Sequence, residues 1–298
     1  MTGSGADLFG DLAARLSCAD SAFPRLSHEA AIMVIADLGF RHADVCVFEG
    51  YQHNPPEVVV ADPDRAAEVV GERLARHGMD AVDVFAILGN PLELSALAIN
   101  HPDEAEREEA MRRFQPIVRF AGRIGAPGIT LLPGSVFDGT TPQESLDRSA
   151  SELQKRAEFA GEAGLALSIE PHYESVVETP ALCEELLEKA PDVTVTLDHG
   201  HFIFQGFTQD EIDELLPRTR HLQLRQAAKG DMQAPARKGQ IDYGLLLERL
   251  GERGYPGYLG LEYQWDEWMD FNRVDCISET AELRDLLLEL AAGKGDDT

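Results

Sequence analysis

Disulfide chemistry has little to work with in this chain. Its 298 residues include 4 cysteines, and Cys18, Cys46, Cys183 and Cys276 lie too far apart for any CxxC pair. Scattered thiols imply a reducing compartment, the cytoplasm, rather than a cross-linked frame. No apolar run approaches the ~20 residues that a membrane helix needs. The opening MTGSGADLFGDL lacks the basic start and apolar centre of a secretory signal. Residues 1–12 are therefore expected to form a loose leader and 291–298 a frayed tail. Basic side chains are scarce as well: 26 stand against 53 acidic ones, for a net charge of −27. A surface that acidic repels phosphate backbones and anionic headgroups, which argues against nucleic acid and membrane as partners. Its plain consequence is solubility. Also missing is a GxGxxG after the first apolar run, the fingerprint of an open dinucleotide-binding sheet.

What the chain does have is a strand–helix rhythm repeated along its length. Short apolar or alternating runs at 17–22, 44–48, 81–88, 128–132, 165–170, 193–198, 221–225 and 258–263 read as eight strands. Amphipathic segments at 27–38, 63–77, 102–124, 142–163, 180–189, 209–215, 243–253 and 278–290 read as the helices. Ser27, Thr141-Pro142, Thr179-Pro180 and Ser278 supply helix starts. HGMDA, RIGAPGIT, EAGLALS and ERGYPGYLG each place a glycine just past a helix and drop straight into the next strand. With no linker and no low-complexity stretch, the pattern predicts an α/β fold: one (β/α)₈ barrel domain over residues 1–298. Its site should lie at the C-terminal ends of the strands. Long segments after strands two, three, seven and eight would wall that mouth.

Four of the strands end alike. LALSIEPH closes on Glu170, VTVTLDHGH on Asp198, HLQLRQ on Gln223 and Arg225, and YLGLEY on Glu262. Alternate residues of a strand share a face. Glu170 therefore lies with Ser168 and Ala166, Asp198 with Thr196 and Thr194, Gln223 with His221 and Arg225, and Glu262 with Gly260 and Tyr258. The intervening Leu, Ile and Val positions claim the other face, so the polar rows point inward. One carboxylate at a strand end is more often a cap or a salt-bridge partner than a ligand. Three carboxylates and an amide at one rim are different: they describe a divalent-cation site, since unpaired charge there is costly to desolvate.

IEPH, the LDHGH run, LQLRQA, KGQIDYGLLLERLGERGYPGYLGLEY and the LPG after strand four resemble the xylose-isomerase-like TIM-barrel superfamily. Its sugar isomerases and epimerases share a fold with AP endonucleases, and the resemblance runs over nearly the whole chain. It implies that one Glu, one Asp, one His and a second Glu hold a single divalent ion. The matching positions are Glu170, Asp198, Gln223 and Glu262. One of them departs from the pattern, because the His-x-Lys-Asp of the family reads Gln223-Leu224-Arg225-Gln226. An all-oxygen set favours Mn²⁺, with Mg²⁺ or Co²⁺ as alternatives and Zn²⁺ less suited. His221 is the rival fourth ligand, roughly 6–7 Å deeper along its strand.

The resemblance further implies substrate contacts from His201, three residues after Asp198, while His172 follows Glu170 by two and faces the same mouth. Arg225 suits a carboxylate, phosphate or developing oxyanion, or else a salt bridge to Glu262 or Asp198. His172 has an equal claim as a partner that steadies a carboxylate. His53, His101 and Trp265 are rim-loop candidates.

The activity expected is that of a metal-dependent isomerase or epimerase acting on a keto-sugar or related polyol. Glu170 and Glu262 would exchange protons on the two faces of an enediolate. A dehydratase or lyase outcome on the same scaffold is the runner-up. A non-catalytic sugar-binding or partner subunit and an AP-endonuclease-like nuclease stand further back. The nuclease needs more histidines than the 9 present and a basic groove, against a charge of −27. The implied partners are a small carbohydrate and further copies of the chain as a dimer or tetramer, with a hetero-partner left open.

Overall fold

A computed structural model of the chain describes residues 8, 10–49, 53–89, 95 and 97–295. Strands β1 (Leu16–Ala19), β2 (His42–Val47), β3 (Asp80–Ala86), β4 (Gly128–Leu131), β5 (Ala166–Ile169), β6 (Thr194–Asp198) and β7 (Thr219–Leu224) pair in chain order. A two-stranded antiparallel hairpin, β8 (Gln226–Ala228) and β9 (Asp231–Ala234), follows β7. Then β10 (Leu259–Leu261) pairs with both β7 and β1, and the barrel closes. All eight barrel pairings are parallel. The fold is a (β/α)₈ barrel, as the strand–helix rhythm predicts.

Between the strands run α1 (Leu12–Arg15), α2 (His28–Asp37), α3 (Pro56–Ala61), α4 (Pro63–Arg76), α5 (Glu104–Ile124) and α6 (Pro142–Glu162). They are followed by α7 (Pro180–Lys189), α8 (His199–Gln205), α9 (Gln209–Asp213), α10 (Tyr243–Glu252) and α11 (Cys276–Gly295). Ser27 caps α2 and Thr179 caps α7 through side-chain oxygens, and Thr141 with Glu144 forms a full capping box on α6. Gly125 after α5 has φ +81 and Gly164 after α6 has φ +76, left-handed values at which a Cβ is strained. The aliphatic core lies between the strands and the helices. Val45, Ile129, Leu167, Val195, Leu222 and Leu259 are fully buried there, each worth about 1.5–3 kcal/mol of transfer free energy.

Several expectations need correction. The first strand stops at Ala19, and Asp20–Ala22 form a 3₁₀ turn instead. Of the expected leader only residues 8 and 10–12 are described, where Leu8 and Leu12 are 2% and 1% exposed against the core; 1–7 and 9 lie outside the described residues. Of the expected tail, residues 291–295 continue α11 as far as Gly295, with Ala291 buried, and 296–298 lie outside the described residues. Ser278 does not cap that helix; its backbone N–H donates to Asp275 Oδ1 at 2.7 Å, one residue before the helix begins. Among the described residues no helix is long and apolar enough to cross a membrane.

The lower barrel interior is polar, and Arg220, Asp83 and Asp44 join the inward Ser168, Thr196 and His221 that the strand alternation predicts. Arg220 reaches Ser168 Oγ at 2.7 Å and Asp83 Oδ1 at 2.6 Å. His221 Nε2 lies 2.8 Å from Asp44 Oδ2, and Ser17 Oγ donates to Asp44 Oδ1 at 2.8 Å. Adjacent residues can both turn inward because the β6–β7 register slips, Val195 opposing Thr219 while Thr196 opposes His221. Glycine makes the room. A Cβ on Gly128 would lie 2.7 Å from the Arg220 guanidinium, and one on Gly260 only 2.1 Å from Asp44 Oδ2.

Candidate metal and active site

The barrel brings its four acid- or amide-ended strands to one point. Glu170 follows β5, Asp198 ends β6, Gln223 sits near the end of β7 and Glu262 follows β10. None is more than 2% exposed. Ligand oxygens of Glu170, Asp198 and Glu262 lie within 4.8 Å of one another. Gln223 Nε2 donates to Glu262 Oε1 at 3.1 Å, while its Oε1 is buried with no hydrogen-bond partner among the described residues. Asp198 is the last strand residue and also the N-cap of α8, so its Oδ1 accepts the Gly200 N–H at 2.7 Å. That bond leaves Oδ2 facing the cluster.

Of the two candidates for a fourth ligand, His221 Nε2 lies against Asp44 one layer down, and Gln223 sits nearer the rim. Arg225 takes the salt-bridge role: its Nη2 is 2.6 Å from Asp198 Oδ2 and its Nη1 3.8 Å from Glu262 Oε2. Phe271 covers the guanidinium at 4.8 Å. Burial, with the nearby Asp198 charge, pushes Glu170 up to about 8 against the pull of Arg225. Burial raises Glu262 well above the usual carboxylate range in the same way, Arg225 opposing and Glu170 adding to it. The cluster holds more acid than one guanidinium can balance.

His201 and His172 come together on the β5–β6 side, ring centroids 4.2 Å apart. Burial lowers His201 to about 3 and His172 well below its usual value, so both are neutral imidazoles near neutral pH. His201 Nε2 lies 3.6 Å from Glu170 Oε1 and 3.7 Å from Asp198 Oδ2. Its two ring nitrogens also meet two donors, the Tyr173 N–H at 3.2 Å and Arg225 Nη2 at 3.0 Å. A neutral ring has one acceptor nitrogen and can satisfy one of them. Glu170, His172 and His201 make a second group able to hold a cation, sharing Glu170 with the first. The oxygen-only set of three carboxylates plus the unpartnered Gln223 Oε1 fits a hard divalent ion.

Aromatic residues roof the site. Trp268 stacks on His172 at 5.5 Å, and Phe271 is 1% exposed above Arg225. Both belong to the 3₁₀ segment Trp268–Arg273, in which Met269 and Asp270 take left-handed φ values of 53 and 60. Ala19, Cys46, Phe48 and Phe85, at and beyond the ends of β1, β2 and β3, form a separate apolar cluster with Ile87 and Leu132. The rim-loop candidates make their contacts elsewhere. His53 bonds the Leu26 carbonyl, His101 packs edge-on against Phe137, and Trp265 lies 4.2 Å from the Arg25 guanidinium.

Two residues at this site were missed in the sequence. Gln264 Nε2 donates to Glu262 Oε1 at 3.1 Å, and Gln233 bonds the Gln264 backbone. The Glu-x-Gln spacing at 262–264 was an available signal, since it puts both on one face. Gln233 offered none, because its place depends on the hairpin.

Residues 32–287 match the family described as Xylose isomerase-like TIM barrel. A human protein named "Putative hydroxypyruvate isomerase" is 27% identical over 53% of this chain and 61% of its own length. A Streptomyces coelicolor protein of the same name is 29% identical over 56% of this chain and 63% of its own. The matched region is thus less than two thirds of either relative. Among solved structures, a D-psicose 3-epimerase from Clostridium cellulolyticum H10 with D-tagatose superposes with a TM-score of 0.72 at 14% identity, covering 93% of this chain and 99% of that one. An L-ribulose 3-epimerase gives 0.72 at 18% identity, covering 95% and 97%. A Mycobacterium smegmatis protein solved in complex with magnesium gives 0.65 at 15% identity, covering 89% and 88%. At these identities the likeness is one of fold. By the family match, the chain belongs to the xylose isomerase-like TIM-barrel family.

Proposed function

We propose that the protein is a divalent-metal-dependent isomerase or epimerase of a small α-hydroxy-carbonyl compound, a keto-sugar or a short hydroxy-keto acid. One observation carries this. Three carboxylates, Glu170, Asp198 and Glu262, converge in a buried site beside an amide oxygen to which nothing donates among the described residues. Among the described residues their charged partner is a single guanidinium, Arg225. Like charges 4 Å apart repel by about 4 kcal/mol at an effective dielectric of 20, so a dication suits the cluster. Glu170, Asp198, Gln223 and Glu262 would hold it, Mn²⁺ or Mg²⁺ by donor chemistry. Once bound, such an ion polarises a substrate carbonyl and acidifies the neighbouring C–H.

The chain's own groups supply the rest. Glu170 and Glu262 would take and return the proton, and burial makes both better bases than exposed carboxylates. Return to the same carbon from the other side gives an epimer; return to the next carbon gives an isomer. His201 and His172, held neutral, would bond substrate oxygens. Arg225 would steady negative charge developing on oxygen, and Trp268 with Phe271 would keep water out. Family membership and the name shared by the curated relatives support this reading.

The test is direct. Purified protein is assayed for bound metal, then incubated in D₂O with Mn²⁺ and either hydroxypyruvate or a panel of free ketopentoses and ketohexoses. Stoichiometric metal with deuterium washed into one of these substrates supports the proposal. No metal, no exchange and no gain in melting temperature on adding Mn²⁺ would overturn it.

A further inference from the structure

Glu262 is held by a chain of amides, one from the cluster and the rest from outside it. Its Oε1 accepts two N–H bonds, from Gln223 Nε2 at 3.1 Å and from Gln264 Nε2 at 3.1 Å. Its Oε2 faces Arg225 Nη1 at 3.8 Å. Gln264 also reaches Ser21 Oγ at 3.1 Å, which ties it to the turn after β1. The Gln264 backbone is itself gripped at both ends by one side chain. Gln233 Oε1 accepts the Gln264 N–H at 2.9 Å, and Gln233 Nε2 donates to the Gln264 carbonyl at 2.8 Å. Gln233 is 4% exposed on β9 and donates to the Phe271 carbonyl at 3.0 Å as well.

We propose that Gln264, itself held by Gln233, is a positioning residue that together with Gln223 saturates Glu262 Oε1 and so presents Oε2 alone to the metal and substrate. An oxygen already accepting two N–H bonds has little lone-pair capacity left. The carboxylate then acts through one atom, at one angle. Neutral amides do this without adding charge, whereas a Lys or Arg at position 264 would compete with the cation. Asp198 is treated alike, its Oδ1 tied to the Gly200 N–H and its Oδ2 left to the cluster. The hairpin after β7 thereby becomes part of the site without touching substrate, and it joins the orientation of Glu262 to the placing of the aromatic roof through Phe271.

This inference rests on the metal-dependent isomerase reading, and the experiment separates the two. Gln264→Leu, Gln233→Leu and the double variant are compared with wild type for Mn²⁺ affinity by calorimetry, for kcat and KM separately, and for the Glu262 rotamer by crystallography. Each single variant should lower kcat and Mn²⁺ affinity by roughly 10–100-fold, the usual cost of losing a residue that orients a metal ligand, with KM little changed. The double variant should be no worse than Gln264→Leu, because both act on one carboxylate. Should wild type bind no metal and turn over nothing, the functional reading falls, yet the crystal structure of Gln264→Leu still decides the positioning role. A Glu262 carboxylate that turns away from its wild-type orientation supports it. An unmoved carboxylate, or Mn²⁺ affinity and kcat equal to wild type, overturns it.

Discussion

Gln223 and Glu262 share one hydrogen bond, amide Nε2 to carboxylate Oε1 at 3.1 Å, and that bond fixes which end of the glutamine remains free. With the NH₂ engaged, the carbonyl oxygen is left buried beside the carboxylates, without a partner among the described residues. A buried polar atom without a partner costs about 1–3 kcal/mol. Under the proposed function a cation would take up that oxygen.

Gln223 is the first place to test this. Gln223→Leu removes the free oxygen and one of the two donors to Glu262, and should weaken Mn²⁺ binding by roughly 10–100-fold. Gln223→His should instead retain a metal but shift preference toward Zn²⁺ or Co²⁺, as imidazole replaces a hard oxygen. Competition titrations followed by elemental analysis would show whether the preference moves.

Glu170→Gln and Glu262→Gln should each cost roughly 10²–10⁴-fold in proton exchange, the range for a positioned general acid or base. Both should fold, because each removes one of several crowded buried charges. Deuterium exchange by NMR gives the first quantity and thermal melting the second. Exchange at the wild-type rate in either variant would remove that residue from the chemistry.

The Asp213 pair predicts a pH-dependent stability. Burial alone would raise its pKa, but the His199 Nε2 contact at 2.7 Å and the bond from Arg249 Nη1 overcome this and hold it below its ordinary value of 3.8. A carboxylate depressed on folding stabilises above its unfolded pKa and loses that contribution as pH falls through the folded one. The urea stability difference between wild type and Asp213→Asn should therefore be level from neutral pH down to the ordinary carboxylate range. Below that range it should shrink. A difference that grows on acidification contradicts the assignment.

Gly260→Ala should be strongly destabilising. Its Cβ would fall 2.1 Å from Asp44 Oδ2 and 3.0 Å from His221 Nε2, both buried and hydrogen-bonded to each other. Overpacking in a filled interior typically costs about 1–3 kcal/mol, and breaking a buried pair adds to it. Denaturant titration should show a lowered midpoint, while Gly293→Ala, where a Cβ meets nothing within 4 Å, serves as the control.

Much of the architecture was legible along the chain because its signals are local. A period of two marks β6 as TVTLD and separates inward Thr196 and Asp198 from outward Leu197. Left-handed glycines such as Gly125 and Gly164 announce where one helix stops and the next strand begins. The strand ends Glu170, Asp198, Gln223 and Glu262 could be named on the same grounds. The hairpin was overlooked even though Gly230, with φ +78, sits in its turn, because the Gln- and Ala-rich arms carry no strand signal of their own.

What these residues do to one another was settled only by folding. Asp44 and His221 lie 177 positions apart and still form a buried pair one layer below Gln223. Gln264 and Ser21 meet across 243 positions to steady Glu262. The β6–β7 register slip turns Arg220 inward beside His221, against the alternation that local pattern dictates. Residue type and spacing determine which face and which end of an element a side chain occupies. The partner of each polar atom, and so its charge and orientation, is set by whatever the closed barrel packs against it.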